Sequence, residues 1–107
     1  MKLRYTPEAR ADLREIKEYV TSVLGNPAAA KRITDNILKQ CGHLKAYPYL
    51  DGELAAKTGR STDKRYVVCG NHIAFYRVEP NVVSVIRILD GRTNYLTVLF
   101  GGPKTPQ

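Results

Sequence analysis

Cationic side chains recur through a segment that otherwise has the composition of a β-sheet. Residues 64–92, KRYVVCGNHIAFYRVEPNVVSVIRILDGR, contain runs of β-branched and aromatic residues separated by two turn signals, Gly70-Asn71 and Pro80-Asn81. The segment carries five cations: Lys64, Arg65, Arg77, Arg87 and Arg92. Guanidinium groups bind phosphate through paired hydrogen bonds, and a neighbouring tyrosine can stack on an unpaired base. These residue types are therefore suited to RNA binding and to chemistry at a phosphate.

The two turns predict which residues of the segment share a face of the sheet. The first places Arg65 opposite Tyr76, and the second places Ala74 opposite Arg87. Because side chains alternate between faces, one face is predicted to be apolar and covered by helices: Tyr66, Val68, Ile73, Phe75, Ile86 and Ile88. The other face is predicted to be open and mixed: Arg65, Val67, Cys69, His72, Ala74, Tyr76, Val85, Arg87 and Leu89. A slip of one residue would exchange the two faces.

The segments on either side of the predicted sheet extend this candidate site. Residues 49–63 add Lys57 and Arg60, and the residues after the last strand add Arg92 and Tyr95. The alternative is that all these cations only solvate an exposed sheet face, with the aromatic side chains serving for packing. The charges by themselves favour neither interpretation.

Two helices are predicted before the sheet. After a short strand at residues 2–6, the sequence Thr6-Pro7-Glu8 predicts a helix start with Thr6 as N-cap and proline in the first turn. Gly25-Asn26-Pro27 ends this helix and begins a second one, which extends to about Ala46. Each helix has one apolar stripe, so the pair is predicted to form an antiparallel hairpin lying on a flat partner.

The remaining segments complete a single α+β domain over residues 1–100. Residues 49–63 have the composition of a loop, and residues 92–100 are predicted as a short helix in preference to a fourth strand, since Thr93 or Asn94 can cap a helix there. Residues 101–107 form a tail. The order of elements predicts the helical hairpin packed on one face of a three- to four-stranded antiparallel sheet.

Bulk composition restricts the classes of function. The 107 residues include 17 lysines and arginines against 10 acidic residues, so the net charge of +7 favours acidic partners such as nucleic acid. Cys41 and Cys69 have no metal-binding spacing and are predicted to be buried or half-buried thiols; no metal or other cofactor is expected. The sequence has no secretory signal or membrane span, so we expect a cytoplasmic protein without a membrane partner.

Four stretches of the chain resemble the RelE/ParE superfamily of toxins from type II toxin–antitoxin systems. They are YTPEARADLREIKEYV, NPAAAKRI, LKAYPYLDGEL and the region from KRYVVCGN to LTVLF, which together span nearly the whole chain. The resemblance consists of many weak positions and no single invariant motif. It implies a helical hairpin on a small antiparallel sheet. It also implies a bacterial toxin neutralised by a small, partly disordered antitoxin, whose acidic segments suit a basic toxin.

Branches of this superfamily differ in their targets. RelE-like members cleave mRNA on the ribosome without a metal, whereas ParE-like members poison DNA gyrase. The basic and aromatic candidates favour ribosome-dependent mRNA cleavage, with the ribosome and mRNA as partners. Gyrase inhibition is the alternative. An inactive relative that only binds its antitoxin and a general nucleic-acid-binding module are the further alternatives.

The resemblance also implies roles for individual residues. The catalytic candidates are Arg65, Arg87 and Tyr95, as phosphate clamps, transition-state stabilisers and a stacking or proton-transferring group. The RNA-binding candidates are Lys57, Arg60, Lys64, Tyr76 and Arg92.

One position departs from the nuclease pattern. Many relatives carry a histidine just after the last strand, where this chain has Asp90 in the sequence ILDGR. A carboxylate cannot replace an imidazole at neutral pH and would repel phosphate. We expect Asp90 to pair with Arg92 or Arg60, which argues against a histidine-based mechanism and is compatible with gyrase inhibition.

Overall fold

Two long helices lie against a five-stranded sheet in the computed structural model, which describes residues 1–49, 52–59 and 61–101. The helices are α1 (Pro7–Glu18), α2 (Pro27–Gly42), α3 (Leu54–Thr58) and α4 (Tyr95–Phe100). The strands are β1 (Lys2–Tyr5), β2 (Gly52–Glu53), β3 (Arg65–Cys69), β4 (His72–Glu79) and β5 (Val82–Asp90). A π-helical turn, Tyr19–Val23, extends α1, and a 3₁₀ turn, His43–Lys45, extends α2.

The start of each long helix is set by a polar cap, as predicted. Thr6 accepts a hydrogen bond from the Ala9 N–H at 3.1 Å, with Pro7 in the first turn. Asn26 caps α2 in the same way through the Ala29 N–H at 3.0 Å. These local signals therefore fix where the hairpin begins and turns.

The sheet is larger than predicted and is mixed. Its strand order is β1-β5-β4-β3-β2, with β1 parallel to β5 and the other neighbours antiparallel. The predicted α+β fold, with a helical hairpin packed on one face of the sheet and a short C-terminal helix, is confirmed, although the sheet has five strands instead of three to four and its pairing of β1 with β5 is parallel. Residues 49–63 are also not simply a loop, because β2 and α3 fall within them. A two-residue strand and a five-residue helix are too short to produce a recognisable period.

The predicted strand register is correct up to a bulge. The first turn pairs Arg65 with Tyr76, as expected. In the second hairpin Tyr76 pairs with Val85, but the next pair is Phe75 with Arg87, so Ile86 is an additional residue on β5. The predicted pairing of Ala74 with Arg87 was therefore wrong.

The assignment of the sheet faces was also wrong. The residues under the long helices are those expected on the open face: Val67, Cys69, Ala74, Tyr76 and Val85, packed with Ile37 and Leu44. The opposite face is covered as well, by Leu54 of α3 and by Tyr95, Leu99 and Phe100 of α4 over Phe75 and Leu89. Both faces offered an apolar set to the sequence, so alternation alone could not determine which one received the hairpin.

Both cysteines are buried free thiols, as predicted. Cys41 on α2 and Cys69 on β3 lie in the main core, where a hydrogen bond between their thiols and burial raise the pKa of Cys41. Tyr5 of β1 borders the pair, and burial together with Cys41 raises the pKa of its phenol. Among the described residues, no helix combines the length and the apolar character needed to cross a bilayer.

Candidate functional site

The outer edge of β5 is only half covered by its neighbouring strand. β1 pairs with Val82–Val85 and ends there. Beyond that point side chains, and not a neighbouring strand, form hydrogen bonds with the backbone of β5. The Thr6 hydroxyl donates to the Ile86 carbonyl at 3.0 Å, and the Ile88 N–H donates to the Asp12 carboxylate at 2.8 Å. The backbone groups at the bulge are therefore satisfied by residues at the start of α1.

Asp12 also binds Arg87 through two parallel hydrogen bonds. Arg87 Nε and Nη2 donate to the two carboxylate oxygens at 2.8 and 2.9 Å. The arginine side chain is 29% exposed and the aspartate 9%. The hydrogen bond to Asp12 raises the pKa of Arg87, partly offset by burial, so the guanidinium stays charged. One buried carboxylate thus holds both a side chain and a main-chain donor of β5.

A groove of about 450 Å³ lies between this edge of β5 and the end of α1. Its polar wall includes Asp12, Glu15 and Arg87. Its apolar wall comes from the two long helices and the turn that extends α1: Ile16, Tyr19, Val20, Leu24 and Ile33. Tyr19 and Leu24 are 53% and 59% exposed, so the apolar wall continues onto the surface.

At the mouth of the groove, Asp90 pairs with Arg92, one of the two partners predicted for it. Asp90 accepts hydrogen bonds from the Arg92 N–H at 2.8 Å and from Nη2 at 2.9 Å. These bonds lower the pKa of Asp90. His72, opposite Asp90 in the ladder, is half-buried, and burial lowers its pKa against the opposing effect of Asp90.

Arg65 lies in a different part of the molecule. Its Nη2 donates to the Tyr49 carbonyl at 3.3 Å, and its guanidinium lies 5.2 Å from the centre of the Tyr49 ring. Nη1 approaches Glu53 at 3.5 Å, and Nε approaches the Tyr76 hydroxyl at 3.4 Å. Arg65 therefore fastens the segment after α2 to β3.

Tyr76 is buried, contrary to its predicted place on an open face. Its exposed fraction is 0%, and its hydroxyl donates to the Pro48 carbonyl at 2.8 Å. In this conformation the ring packs in the main core and is not available to stack on a base.

The other candidates lie around α3 and α4 on the second face of the sheet. Tyr95 packs on Phe75 with ring centres 5.2 Å apart. Lys57 and Lys64 lie over aromatic rings at 5.2 and 5.0 Å, those of Tyr66 and Phe100 respectively. Arg60 and residues 102–107 of the predicted tail lie outside the described residues.

The comparisons with known proteins establish the family. The model of the ParE toxin of the type II toxin–antitoxin system parDE matches residues 3–95. The chain belongs to the ParE toxin family. This confirms the RelE/ParE resemblance and implies a cognate antitoxin. A structure described as a chromosomal ParDE TA system from P. aeruginosa has the same fold, with a TM-score of 0.72 and 24% identity over 84% of this chain and 95% of that one. No curated protein matches the sequence.

This ParE-family fold does not gather the three catalytic candidates at one site. Arg87 is bound to Asp12 of α1, Arg65 to the segment after α2, and Tyr95, the first residue of α4, packs on Phe75. Of the RNA-binding candidates, Arg92 lies on the groove with Arg87. Within the part of the chain that the structure describes, no group of three or more His, Cys, Asp or Glu side chains is placed to hold a metal ion.

Sequence reasoning missed Asp12, the residue on which the β5 edge depends. A signal was present, because Asp12 shares the buried side of α1 with Ala9, Leu13 and Ile16 at helical spacing. A carboxylate among core positions requires a partner, since an isolated buried charge is strongly destabilising. The partner, Arg87, is 75 residues away in sequence, so the pattern alone could not name it.

Proposed function

We propose that this ParE-family toxin arrests growth by inhibiting DNA gyrase and has no nuclease activity. The observation that carries the proposal is the ion pair between Arg87 and Asp12. A phosphate-clamping arginine must direct its paired donors at the substrate. Arg87 directs Nε and Nη2 at a carboxylate of its own chain, and that carboxylate would repel an incoming phosphate.

The other catalytic candidates support the same proposal. General acid–base and electrostatic catalysis at one phosphate require groups that converge within hydrogen-bonding reach of the reacting atoms. Arg65 is engaged with Tyr49 and Glu53, and Tyr95 packs on the opposite side of the sheet from the long helices. The ParE branch, moreover, is the one whose members poison gyrase.

The same proposal assigns the cognate antitoxin to the groove beside β5. The apolar wall of the groove, with the exposed side chains Tyr19 and Leu24, suits the apolar side of an antitoxin segment. Gyrase inhibition and antitoxin binding both place the protein in the bacterial cytoplasm.

Two assays test the choice of target, one with the purified protein and one after its induction in bacteria. Relaxed plasmid, gyrase and ATP are incubated with increasing toxin, and supercoiling is expected to fall while gyrase-dependent linear DNA accumulates. In parallel, primer extension on an abundant mRNA after brief induction in bacteria is expected to show no new cleavage sites. A reporter lacking its start codon is the control, because ribosome-dependent cuts disappear from it.

Each outcome decides between the two branches. Inhibited supercoiling with intact mRNA supports the proposal. Cleavage within codons that depends on the start codon, with supercoiling unaffected, would replace it with the RelE-like activity. Unchanged supercoiling together with intact mRNA, with folded protein, would indicate a relative that only binds its antitoxin.

A further inference from the structure

We infer that the antitoxin segment entering the groove beside β5 carries a lysine or an arginine, and that this cation pairs with Glu15 of α1. The pairing rests on the proposed function, which places the cognate antitoxin in the groove. It reverses the expectation that acidic antitoxin segments meet a basic toxin surface, because the groove differs in charge from the rest of the chain.

The groove does not share the positive charge of the whole protein. Among the described residues, five formally charged side chains line it: Asp12, Glu15, Arg87, Asp90 and Arg92. Three of them are carboxylates and two are guanidiniums. His72 also lines the groove and is neutral at pH 7, because burial lowers its pKa. The groove is therefore slightly negative, although the chain has a net charge of +7.

Glu15 is the carboxylate of the groove for which the described residues offer no partner. Asp12 and Asp90 each accept two or more hydrogen bonds from an arginine. Glu15 is exposed, and none of the described ion pairs includes it. Its neighbours on the helix surface, three or four residues away, are Ala11, Asp12, Glu18 and Tyr19. None of these neighbours is a cation, so α1 itself cannot neutralise Glu15.

Arg87 does not serve as the missing partner. The negative charge of Glu15 contributes to the raised pKa of Arg87, so the two side chains are near each other. The paired donors of Arg87 nevertheless bind Asp12, at 2.8 and 2.9 Å. Turning the guanidinium towards Glu15 would leave Asp12, whose side chain is 9% exposed, as a buried charge without its ionic partner.

Binding of an apolar segment would remove Glu15 from water. Tyr19 and Leu24, the exposed part of the apolar wall, line the same groove as Glu15, so a segment that covers them also shields its carboxylate. A shielded charge without a partner is strongly unfavourable. A lysine or arginine of the antitoxin would supply the partner, whereas an aspartate or glutamate at the same place would add a like charge and be rejected.

The test measures binding of purified toxin variants to the immobilised cognate antitoxin by biolayer interferometry. Glu15→Gln is expected to raise Kd about ten-fold and Glu15→Lys about 100-fold, because the antitoxin cation first loses its partner and then meets a like charge. Glu18→Lys is the matched control, since Glu18 is exposed on the same helix and does not line the groove. This variant should change Kd by less than about three-fold.

A second set of variants identifies the cation on the antitoxin. Each of its lysines and arginines is replaced singly by glutamate. One replacement is expected to weaken binding to the wild-type toxin and to strengthen binding to Glu15→Lys at least about ten-fold, since reversing both charges restores the attraction. Failure of every replacement to strengthen that binding would overturn the inference.

Two further results would also overturn it. Glu15→Lys may bind as tightly as the wild type, or it may be weakened no more than Glu18→Lys, in which case only net charge matters. Leu24→Ser examines the groove itself and is expected to weaken binding, because Leu24 belongs to the exposed apolar wall. Unchanged binding by both Leu24→Ser and Glu15→Lys would place the antitoxin elsewhere. Gyrase inhibition by the wild-type toxin is scored separately, so its absence would overturn the proposed target and leave the Glu15 pairing standing.

Discussion

Asp12 of α1 binds the guanidinium of Arg87 and the N–H of Ile88 at the same time, with distances of 2.8 and 2.9 Å to Arg87 and 2.8 Å to Ile88. The contact fastens the first helix to β5 where β1 has ended. The Asp12 carboxylate therefore accepts the hydrogen bond that a neighbouring strand would otherwise accept from the Ile88 N–H. It also binds the guanidinium of Arg87, which was predicted to clamp phosphate.

Replacing Asp12 with Asn should lower the free energy of unfolding by about 2 kcal/mol, because Arg87 loses its ionic partner and an amide can accept fewer of the three hydrogen bonds. Urea unfolding of the purified protein measures the change. Glu15→Gln, on the same helix and exposed, is the matched control and should change stability by less than about 0.5 kcal/mol. Equal stability of the two variants would show that the Asp12 contacts contribute little.

Replacing Tyr76 with Phe should lower stability by about 1 kcal/mol, since the Pro48 carbonyl loses its donor and the buried ring is otherwise unchanged. Circular dichroism during urea titration measures this change in the free energy of unfolding. Tyr47→Phe is the control, because that ring is 62% exposed and its loss of a hydroxyl should have almost no effect. A Tyr76→Phe protein as stable as the wild type would argue against a fastening role for this hydroxyl.

Two glycine-to-alanine substitutions should change the stability of the protein in opposite directions. At Gly52 a Cβ would lie 2.6 Å from the ring of Tyr66, so Gly52→Ala must displace that ring and lower the melting temperature. At Gly42, in helical conformation with nothing within 4 Å, Gly42→Ala should stabilise the protein by about 0.5–1 kcal/mol. Thermal unfolding of both variants checks the pair, and a shift of the same sign in both would contradict the explanation.

His72 should make the protein less stable as pH falls below about 6.5. Burial lowers its pKa in the folded state, so above the unfolded value both states are neutral and the histidine has no effect. Below it the unfolded chain binds a proton that the folded chain binds less readily, and stability declines until the lower folded pKa is reached. Urea unfolding at pH 7.5, 6.5 and 5.5 measures the decline. His72→Gln should reduce it, and an identical decline in that variant would assign the effect to other groups.

Local signals allowed much of the fold to be predicted from the sequence. Thr6 and Pro7 marked the start of α1, and the positive φ angles of Gly70 and Asn81, 66° and 69°, occur at the two predicted hairpin turns. The pairing of Asp90 with Arg92 was also predictable, because the partners are only two positions apart along the chain. In each case the interacting groups are neighbours in sequence, so residue type and spacing contain the information.

The tertiary structure alone decided the features that matter most for the site. Both faces of β3 and β4 were apolar enough to be buried, so only the packing of α1 and α2 determined which face they cover. The bulge at Ile86 shifted the register of β5, and the contact of Asp12 with Arg87 joins residues 75 positions apart. Such pairings depend on loop closure and on competition among many possible partners, which the order of residues does not reveal. For the same reason the sequence indicated a basic toxin, whereas the structure revealed that its predicted catalytic arginines are occupied by contacts within the fold.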